Sequence, residues 1–226
     1  MMTTNSSRPP VALWRPITAL LVVAMLLGFV GYTMWEQDWK WGLPTPRPAH
    51  LTQLPVGTPL ALPDTVTARW TIGSGRPLVL HFFNPECPCS RFNQDHVRDL
   101  IRAHRGRVTI IAVIEPEGGP VSPRAVASAE RDLGVPVLLD ADGSLAKYVG
   151  VYSSPQAVVV TPAGALYYRG NYNLARYCTD ARTEFARIAI EHVLSGAPAY
   201  DAPVQARIAY GCPLPSTLAR LAQGAE

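Results

Sequence analysis

The sequence predicts an α/β domain with a mixed central sheet flanked by helices, preceded by an N-terminal transmembrane helix. Apolar runs typical of buried strands alternate with segments of helical periodicity. A helix that connects two strands in this way usually makes them parallel. Two later strand patterns are separated by a short turn and add an antiparallel hairpin, which makes the sheet mixed. A long uncharged stretch near the N-terminus predicts the membrane helix.

Composition limits the classes of function. The chain has 226 residues and a formal net charge of +3, from 20 Lys and Arg against 17 Asp and Glu. That balance is too weak to indicate a nucleic-acid partner, and no basic run supports one. Four cysteines are too few for a disulfide-rich mini-protein. The length suits one domain of about 150 residues with extensions.

The predicted membrane anchor covers residues 17–35. No charged residue lies between Arg15 and Glu36, and a helix of this length spans about 28 Å, close to the thickness of the bilayer core. Tryptophans on both sides are typical of interfacial anchors. We predict residues 1–16 as a cytoplasmic tail. A cleaved signal peptide is the alternative, although no convincing small-residue cleavage site follows.

Residues 36–63 form a predicted Pro-rich linker. Its prolines favour an extended conformation that would hold a domain away from the membrane. A loop wrapped on the surface of the domain is an equally good interpretation.

The predicted globular domain covers residues 64–196 and contains six strands. Two continuous apolar runs are typical of strands buried on both faces, with the sequences PLVLHFFN and RVTIIAVIE. Pro162-Ala163-Gly164 indicates the hairpin turn between the last two. The predicted strands are Arg69–Ile72, Pro77–Asn84, Arg107–Glu115, Val135–Asp140, Gln156–Thr161 and Ala165–Arg169.

Four helices are predicted between these strands and after them. Ser122 has the side chain of an N-cap, Pro123 suits the first helical position, and Gly134 suits the end of the same helix. A predicted tail, residues 197–226, carries Cys212. The predicted helices are Pro88–His104, Ser122–Leu133, Ser144–Tyr148 and a last one capped by Thr179 that ends at Leu194.

Cys87 directly follows a buried strand, and Pro88 opens a helix, so Cys87 is the predicted N-cap. A thiolate at that position faces unpaired N–H groups and the positive end of the helix dipole, which lower its pKa. Cys89 follows two positions later. The pattern predicts a redox or metal site, and the alternative is a pair of cysteines that only pack.

The stretch LVLHFFNPECPCS resembles the active-site strand and turn of the thioredoxin-like superfamily, and VLLDADGSLAKYVGVYSSPQAVVVTPAGALYYRG resembles its second half. The match is best with its membrane-anchored reductase and alkyl-hydroperoxide-reductase-like branches, and it covers Pro63 to Leu194. The resemblance implies a thioredoxin-like fold. It also implies that Pro155 is a cis proline that lies against the active-site cysteine.

The motif Cys87-Pro88-Cys89-Ser90 departs from the family, whose second cysteine falls at Ser90. One interpretation is a Cys87–Cys89 disulfide, which closes a small strained ring and is therefore labile. In the other, Cys87 attacks alone and a different cysteine resolves the mixed disulfide.

Two neighbours also depart from the family pattern. Glu86 stands where the family often has Trp, and a carboxylate beside the thiolate is expected to raise the pKa of the thiol. His81 stands where thioredoxins carry a buried Asp. His81 is therefore either a hydrogen-bonded core residue or a proton carrier for Cys89 or an incoming thiol.

The other two cysteines lie outside the matched core. Cys178 comes just before the last predicted helix, and Cys212 follows 34 positions later. The leading interpretation is a structural disulfide between them that pins the tail to the domain. In a second interpretation, one of these two cysteines exchanges with Cys87 or Cys89. In a third, both remain free thiols. A disulfide of either kind suits a location outside the cytoplasm.

These features predict a membrane-anchored thiol–disulfide oxidoreductase in which Cys87 is the nucleophile. We expect protein thiols or disulfides as substrates, an unidentified electron donor and no cofactor. The predicted location is the inner membrane, crossed once by residues 17–35, with the catalytic domain in the periplasm.

Three other functions stay open. A Sco-like copper carrier would use soft thiolates, but the sequence has no His between His104 and His192, where such proteins supply a ligand. A thiol peroxidase would carry Thr or Ser at the position that Asn84 occupies. The third is a redox-inert docking domain.

Overall fold

A computed structural model of the protein describes residues 14–37, 39, 43–49, 51–117, 119, 121–174 and 180–223. The chain divides into two compact units, Met1–Lys40 and Trp41–Glu226.

In the part of the first unit that the structure describes, residues Trp14–Gln37 form helix α1, in which no residue is buried. Its 24 residues extend over about 36 Å, and it is apolar enough to cross a membrane. The rings of Trp35 and Trp39 meet edge to face with centroids 6.4 Å apart, and tryptophans are common where a helix leaves the membrane. A signal sequence has a similar composition and position, so α1 is a candidate membrane span.

The second unit is built on a five-stranded sheet in the order β3-β2-β1-β5-β6. Its central strand β1 pairs in parallel with β2 and antiparallel with β5, so the predicted mixed sheet is confirmed. A separate two-stranded ribbon joins β4 to β7. The strands are β1 (Leu78–Phe82), β2 (Thr109–Ile114), β3 (Val137–Leu139), β4 (Ser153–Ser154), β5 (Gln156–Val160), β6 (Leu166–Gly170) and β7 (Cys212–Pro213).

Local signals place the helix ends. The Ser122 hydroxyl accepts the N–H of Ala125 at 3.2 Å, and Gly134 ends the same helix with φ of 70°. Cys87 is the N-cap of another helix and Pro88 its first residue, as predicted. The helices of this unit are α2 (Asp64–Thr67), α3 (Pro88–His104), α4 (Pro123–Leu133), α5 (Ser144–Val149), α6 (Phe185–Leu194), α7 (Val204–Arg207) and α8 (Pro215–Gln223).

Side chains alternate between the two faces along each strand, and helices cover both faces of the sheet. In β1, Val79 belongs to a cluster with residues of α3, α4 and α6. Its neighbours Leu78 and Leu80 belong to the opposite cluster, with residues of α2 and α5. This two-sided packing holds the end of β1, and the turn that follows it, in a fixed position.

The strand predicted at Arg69–Ile72 is wrong. Helix α2 ends at Thr67, before this segment, and Arg69–Ile72 consists of turn and irregular residues. Trp70 is buried, and its indole N–H donates to the carbonyl of Arg76 at 2.8 Å. The apolar residues that suggested a strand at 69–72 are explained by the burial of Trp70, and this segment does not pair with a strand.

The last predicted helix begins later than expected. A 3-10 turn (Ala181–Thr183) comes first, with the Asp180 carboxylate accepting the N–H of Arg182, and α6 then starts at Phe185. The predicted cap Thr179 lies outside the described residues.

The described part of the Pro-rich segment contacts the domain. The N–H of Thr45 donates to the carbonyl of Ala209 at 2.8 Å, and the N–H of Leu60 donates to that of Gly164 at 2.9 Å. Leu51, Leu60 and Leu62 are buried. From residue 44 onward this is the second of the two interpretations, a loop wrapped on the domain. The reason is that its leucines enter the core while its prolines prevent regular structure.

The predicted tail, residues 197–226, also packs on the domain as far as it is described. Strand β7 pairs with β4, and Leu214 is only 2% exposed. The backbone N–H and the hydroxyl of Ser216 both donate to the Glu115 carboxylate. The tail is therefore part of the fold and carries Cys212 to a defined place.

Candidate active site

Cys87 is positioned by the turn between β1 and α3. The side-chain oxygen of Asn84 accepts the N–H of Glu86 at 2.8 Å, and the N–H of Cys87 donates to the Asn84 carbonyl at 3.1 Å. The Ser90 hydroxyl accepts the N–H of Asn84 at 3.2 Å. These bonds hold the Cys87 sulfur at the N-terminus of α3, where unpaired N–H groups stabilise a thiolate. Ser90 therefore supports the turn.

The peptide bond between Ser154 and Pro155 is cis, as the resemblance implied. The Cys87 sulfur lies 3.8 Å from the Ser154 carbonyl oxygen. The loop that carries Pro155 thus reaches the predicted nucleophile.

Cys87 forms a disulfide with Cys212, with Cα atoms 6.2 Å apart and a sequence separation of 125 residues. The pairing of β4 with β7 sets Cys212 opposite Ser154. The Ser153 hydroxyl also donates to the Cys212 carbonyl at 3.2 Å.

Two sequence interpretations are therefore wrong in this structure. Cys212 does not bond to Cys178, because the tail crosses to the β4 edge beside Cys87. Cys178 itself lies outside the described residues. The Cys87–Cys89 disulfide is also absent, because Cys87 is bonded to Cys212. The alternative in which a tail cysteine exchanges with Cys87 agrees with the observed bond.

Cys89 is buried in the first turn of α3. Its sulfur and those of Cys87 and Cys212 all lie within 4.8 Å of one another. Asn93 donates to the Cys89 carbonyl at 3.1 Å, and Asn173 donates to the Asn93 side chain at 2.8 Å. The structure therefore gathers three sulfur atoms where the sequence predicted two.

The disulfide lines a surface cleft of about 280 Å³. Cys87 is only 3% exposed, whereas Cys212 is partly exposed. Glu86 and Glu117 also line the cleft, and Leu218 adds an apolar side chain that is 48% exposed. The Cys212 side of the disulfide is therefore accessible from solvent.

His81 is a buried, hydrogen-bonded residue. Its Nδ1 lies 2.6 Å from the hydroxyl oxygen of Tyr172, and its ring stacks on Phe83 with centroids 5.0 Å apart. Burial lowers the pKa of His81 to about 3, so the ring is neutral at pH 7. This environment favours the core interpretation of His81.

A family model described as Domain of unknown function (DUF6436) matches residues 61–213, more than half of the chain. The chain belongs to the DUF6436 family. The matched region of this DUF6436 protein includes Cys87, Pro155 and Cys212. A comparison with curated proteins found no match.

Solved structures support the fold of this DUF6436 domain. A hypothetical protein from Sinorhizobium meliloti 1021 has 20% identity and a TM-score of 0.60, covering 73% of this chain and 96% of its own. An uncharacterized conserved protein from Geobacillus kaustophilus has 19% identity and a TM-score of 0.57, covering 76% and 97%. These likenesses show the fold alone. The mixed sheet flanked by helices and the cis bond before Pro155 agree with the thioredoxin-like fold that the sequence resemblance implied.

Sequence reasoning missed the residues that bring Cys212 to Cys87 in the DUF6436 domain. Gly211 has φ of 146°, and a Cβ atom there would clash with the Ser154 carbonyl. The Thr45 hydroxyl donates to the Gly211 carbonyl at 3.0 Å. Glycine before a cysteine was a visible signal of a close backbone approach, but nothing in the sequence identified the other side of the contact.

Proposed function

We propose that this DUF6436 protein is a thiol–disulfide oxidoreductase whose redox-active bond is Cys87–Cys212. The bond itself carries the proposal, because it joins a cysteine at a helix N-terminus to one on a short tail strand. The unpaired N–H groups at the start of α3 stabilise the Cys87 thiolate that leaves when the disulfide is attacked at Cys212.

The proposed reaction transfers two electrons. In the reduced protein, the Cys87 thiolate attacks a substrate disulfide, forms a mixed disulfide and releases the first substrate thiolate. The Cys212 thiolate then attacks the Cys87 sulfur, which restores the Cys87–Cys212 bond and releases the second. A dithiol donor must reduce that bond before the next cycle, and it becomes a disulfide itself. The same steps in reverse oxidise a substrate dithiol.

Non-covalent contacts keep Cys212 close to Cys87 after the disulfide opens. The β4–β7 pairing and the bonds between Ser216 and Glu115 do not involve sulfur. Resolution is then intramolecular, and the high effective concentration of Cys212 favours it over a second external thiol.

The exchange reaction is tested with the full-length protein in detergent. After reduction, it is mixed with a chromogenic aromatic disulfide, and thiolate release is followed. Cys87→Ser should abolish rapid release. Cys212→Ser is combined with Cys89→Ser, because the Cys89 sulfur lies within 4.8 Å of Cys87. This double variant should stay trapped as a mixed disulfide on Cys87. Cys178→Ser is the cysteine control and should behave like the wild type. Rapid release by Cys87→Ser would reject the proposal.

We also propose that residues 17–35 anchor the protein in the inner membrane with the domain in the periplasm. The apolar α1 supports an anchor, and disulfides persist in oxidising compartments. A C-terminal alkaline phosphatase fusion should be active and should remain in the membrane fraction after a carbonate wash. Activity without α1, or release into the soluble fraction, would contradict this location.

A further inference from the structure

The sulfur atoms of Cys87, Cys89 and Cys212 form a cluster whose chemistry also suits a soft metal ion. We propose that the reduced protein binds one Cu(I) ion through the thiolates of Cys87, Cys89 and Cys212. Among the described residues, this is the one group of at least three Cys, His, Asp or Glu side chains whose ligand atoms lie within 4.8 Å of one another. The proposal rests on this cluster and holds whether or not the protein exchanges disulfides with a substrate.

The spacing of the sulfurs suits a three-coordinate ion. Metal–thiolate bonds are about 2.3 Å long, which puts the sulfurs of a planar three-coordinate site about 4.0 Å apart. The cluster lies within 4.8 Å before any adjustment. Reduction lets the bonded sulfurs of Cys87 and Cys212 separate, and their Cα atoms, 6.2 Å apart, leave room for a bridging ion.

The donor set selects the metal. Soft thiolates favour Cu(I), whereas Mg²⁺ and Ca²⁺ need oxygen ligands. Cu(I) accepts three ligands, while structural Zn²⁺ sites have four. The missing His argued against a copper site in the sequence, but the tail supplies Cys212 as the third ligand instead.

The surroundings favour a bound cation. Cys87 and Cys89 are buried, which limits access of water to the ion. Thiolates crowded together repel one another, and a cation removes that repulsion. Glu86 and Glu117 line the adjoining cleft and add negative charge at its entrance.

Copper binding is then coupled to the redox state. Reduction of the Cys87–Cys212 bond by a dithiol transfers two electrons to the cysteines and yields the two missing ligands. Oxidation of the pair returns these electrons to an external disulfide and leaves Cys89 as the one of the three cysteines outside a disulfide. The oxidised protein should therefore bind Cu(I) poorly.

The test uses Cu(I) itself. Full-length protein is reduced with a phosphine, freed of reductant without oxygen and titrated with Cu(I) against a chromophoric Cu(I) chelator. We expect one ion per chain, a thiolate-to-copper absorption band and three sulfur neighbours by X-ray absorption. The oxidised wild type is the matched control and should bind at least about tenfold more weakly, since even loss of an outer partner has such an effect.

The Cys89→Ser variant separates this proposal from the exchange reaction. It keeps Cys87 and Cys212, so their disulfide still forms and shows that the site is folded. Its Cu(I) affinity in the reduced state should also fall at least about tenfold. Equal affinity in Cys89→Ser, or equal affinity of oxidised and reduced wild type, would overturn the copper site. Disulfide exchange by the same samples would leave the proposed function standing.

Discussion

Ser154 lies opposite Cys212 in the ribbon formed by β4 and β7, and its next peptide bond, to Pro155, is cis. Ser154 thus contacts the Cys87 sulfur through its carbonyl oxygen, and it also pairs with Cys212, the disulfide partner of Cys87. The backbone pairing of β7 with β4 therefore places Cys212 beside Cys87.

Gly211→Ala should weaken the attachment of the tail. A Cβ atom at this position would clash with the Ser154 carbonyl, and φ of 146° is unfavourable for Ala. We expect a loss of about 1–3 kcal/mol in the free energy of unfolding, the usual range for such strain. Denaturant titration of the full-length protein, followed by tryptophan fluorescence, measures it.

Gly57→Ala is the matched control for Gly211→Ala. Gly57 has φ of 90°, but a Cβ atom there meets nothing within 4 Å. Its loss should reflect backbone conformation alone, about 1 kcal/mol. A larger loss at Gly57 than at Gly211 would contradict the close contact with Ser154.

Leu214→Ala should show that the tail belongs to the core. Leu214 is 2% exposed and packs in the cluster beneath α5, so its truncation should cost about 2–4 kcal/mol of stability. Leu218→Ala changes a residue of the next helix that is 48% exposed, and should have an effect below about 0.5 kcal/mol. Equal effects in a denaturant titration would mean that the tail does not pack as described.

His81 should destabilise the protein in acid. Its pKa is lowered to about 3 by burial, against 6.5 for an ordinary His. The stability it contributes is present above pH 6.5 and is lost as the pH falls towards 3, with a slope of about 1.4 kcal/mol per pH unit. His81→Gln should lose this slope between pH 6 and pH 4. An NMR titration that protonates the His81 ring near pH 6.5 would contradict the shift.

Glu115→Gln should stabilise the protein at neutral pH relative to acid. Burial raises the pKa of Glu115 above 4.5, although the bonds from Ser216 partly oppose this. Protonation therefore favours the folded state, and that contribution is lost as the pH rises through the raised pKa. Gln keeps a carbonyl acceptor for Ser216 without the charge. The variant should gain stability over the wild type as the pH rises from 4 to 7, and a constant difference would contradict the prediction.

Much of the domain could be predicted from sequence because local signals agreed with the fold. The N-cap at Cys87 and helix α3 follow from a strand that ends just before a Pro, and the hairpin follows from Pro162-Ala163-Gly164. The cis bond before Pro155 came from family resemblance. Each of these depends on residues that are close together in the sequence.

The disulfide partner of Cys87 could not be predicted in the same way. The two cysteines are 125 residues apart, so no local sequence pattern links them. The pairing between β4 and β7 involves only two residues of each strand, which is too short to show as a strand pattern. Leu214 and the Glu115–Ser216 contact decide where the tail lies, and both are tertiary interactions. Cys178 was the predicted partner of Cys212 because both lie outside the region that resembles the family, whereas the packing of the tail places Cys212 beside Cys87.

The most direct test of the account is a redox titration of the full-length protein in buffers of increasing dithiol content, with alkylation and mass spectrometry of the peptides. The linked Cys87–Cys212 peptide pair should be converted to two alkylated cysteines in a single two-electron step. A Cys178–Cys212 linkage, or a Cys87–Cys212 pair that never exchanges with the dithiol, would contradict it.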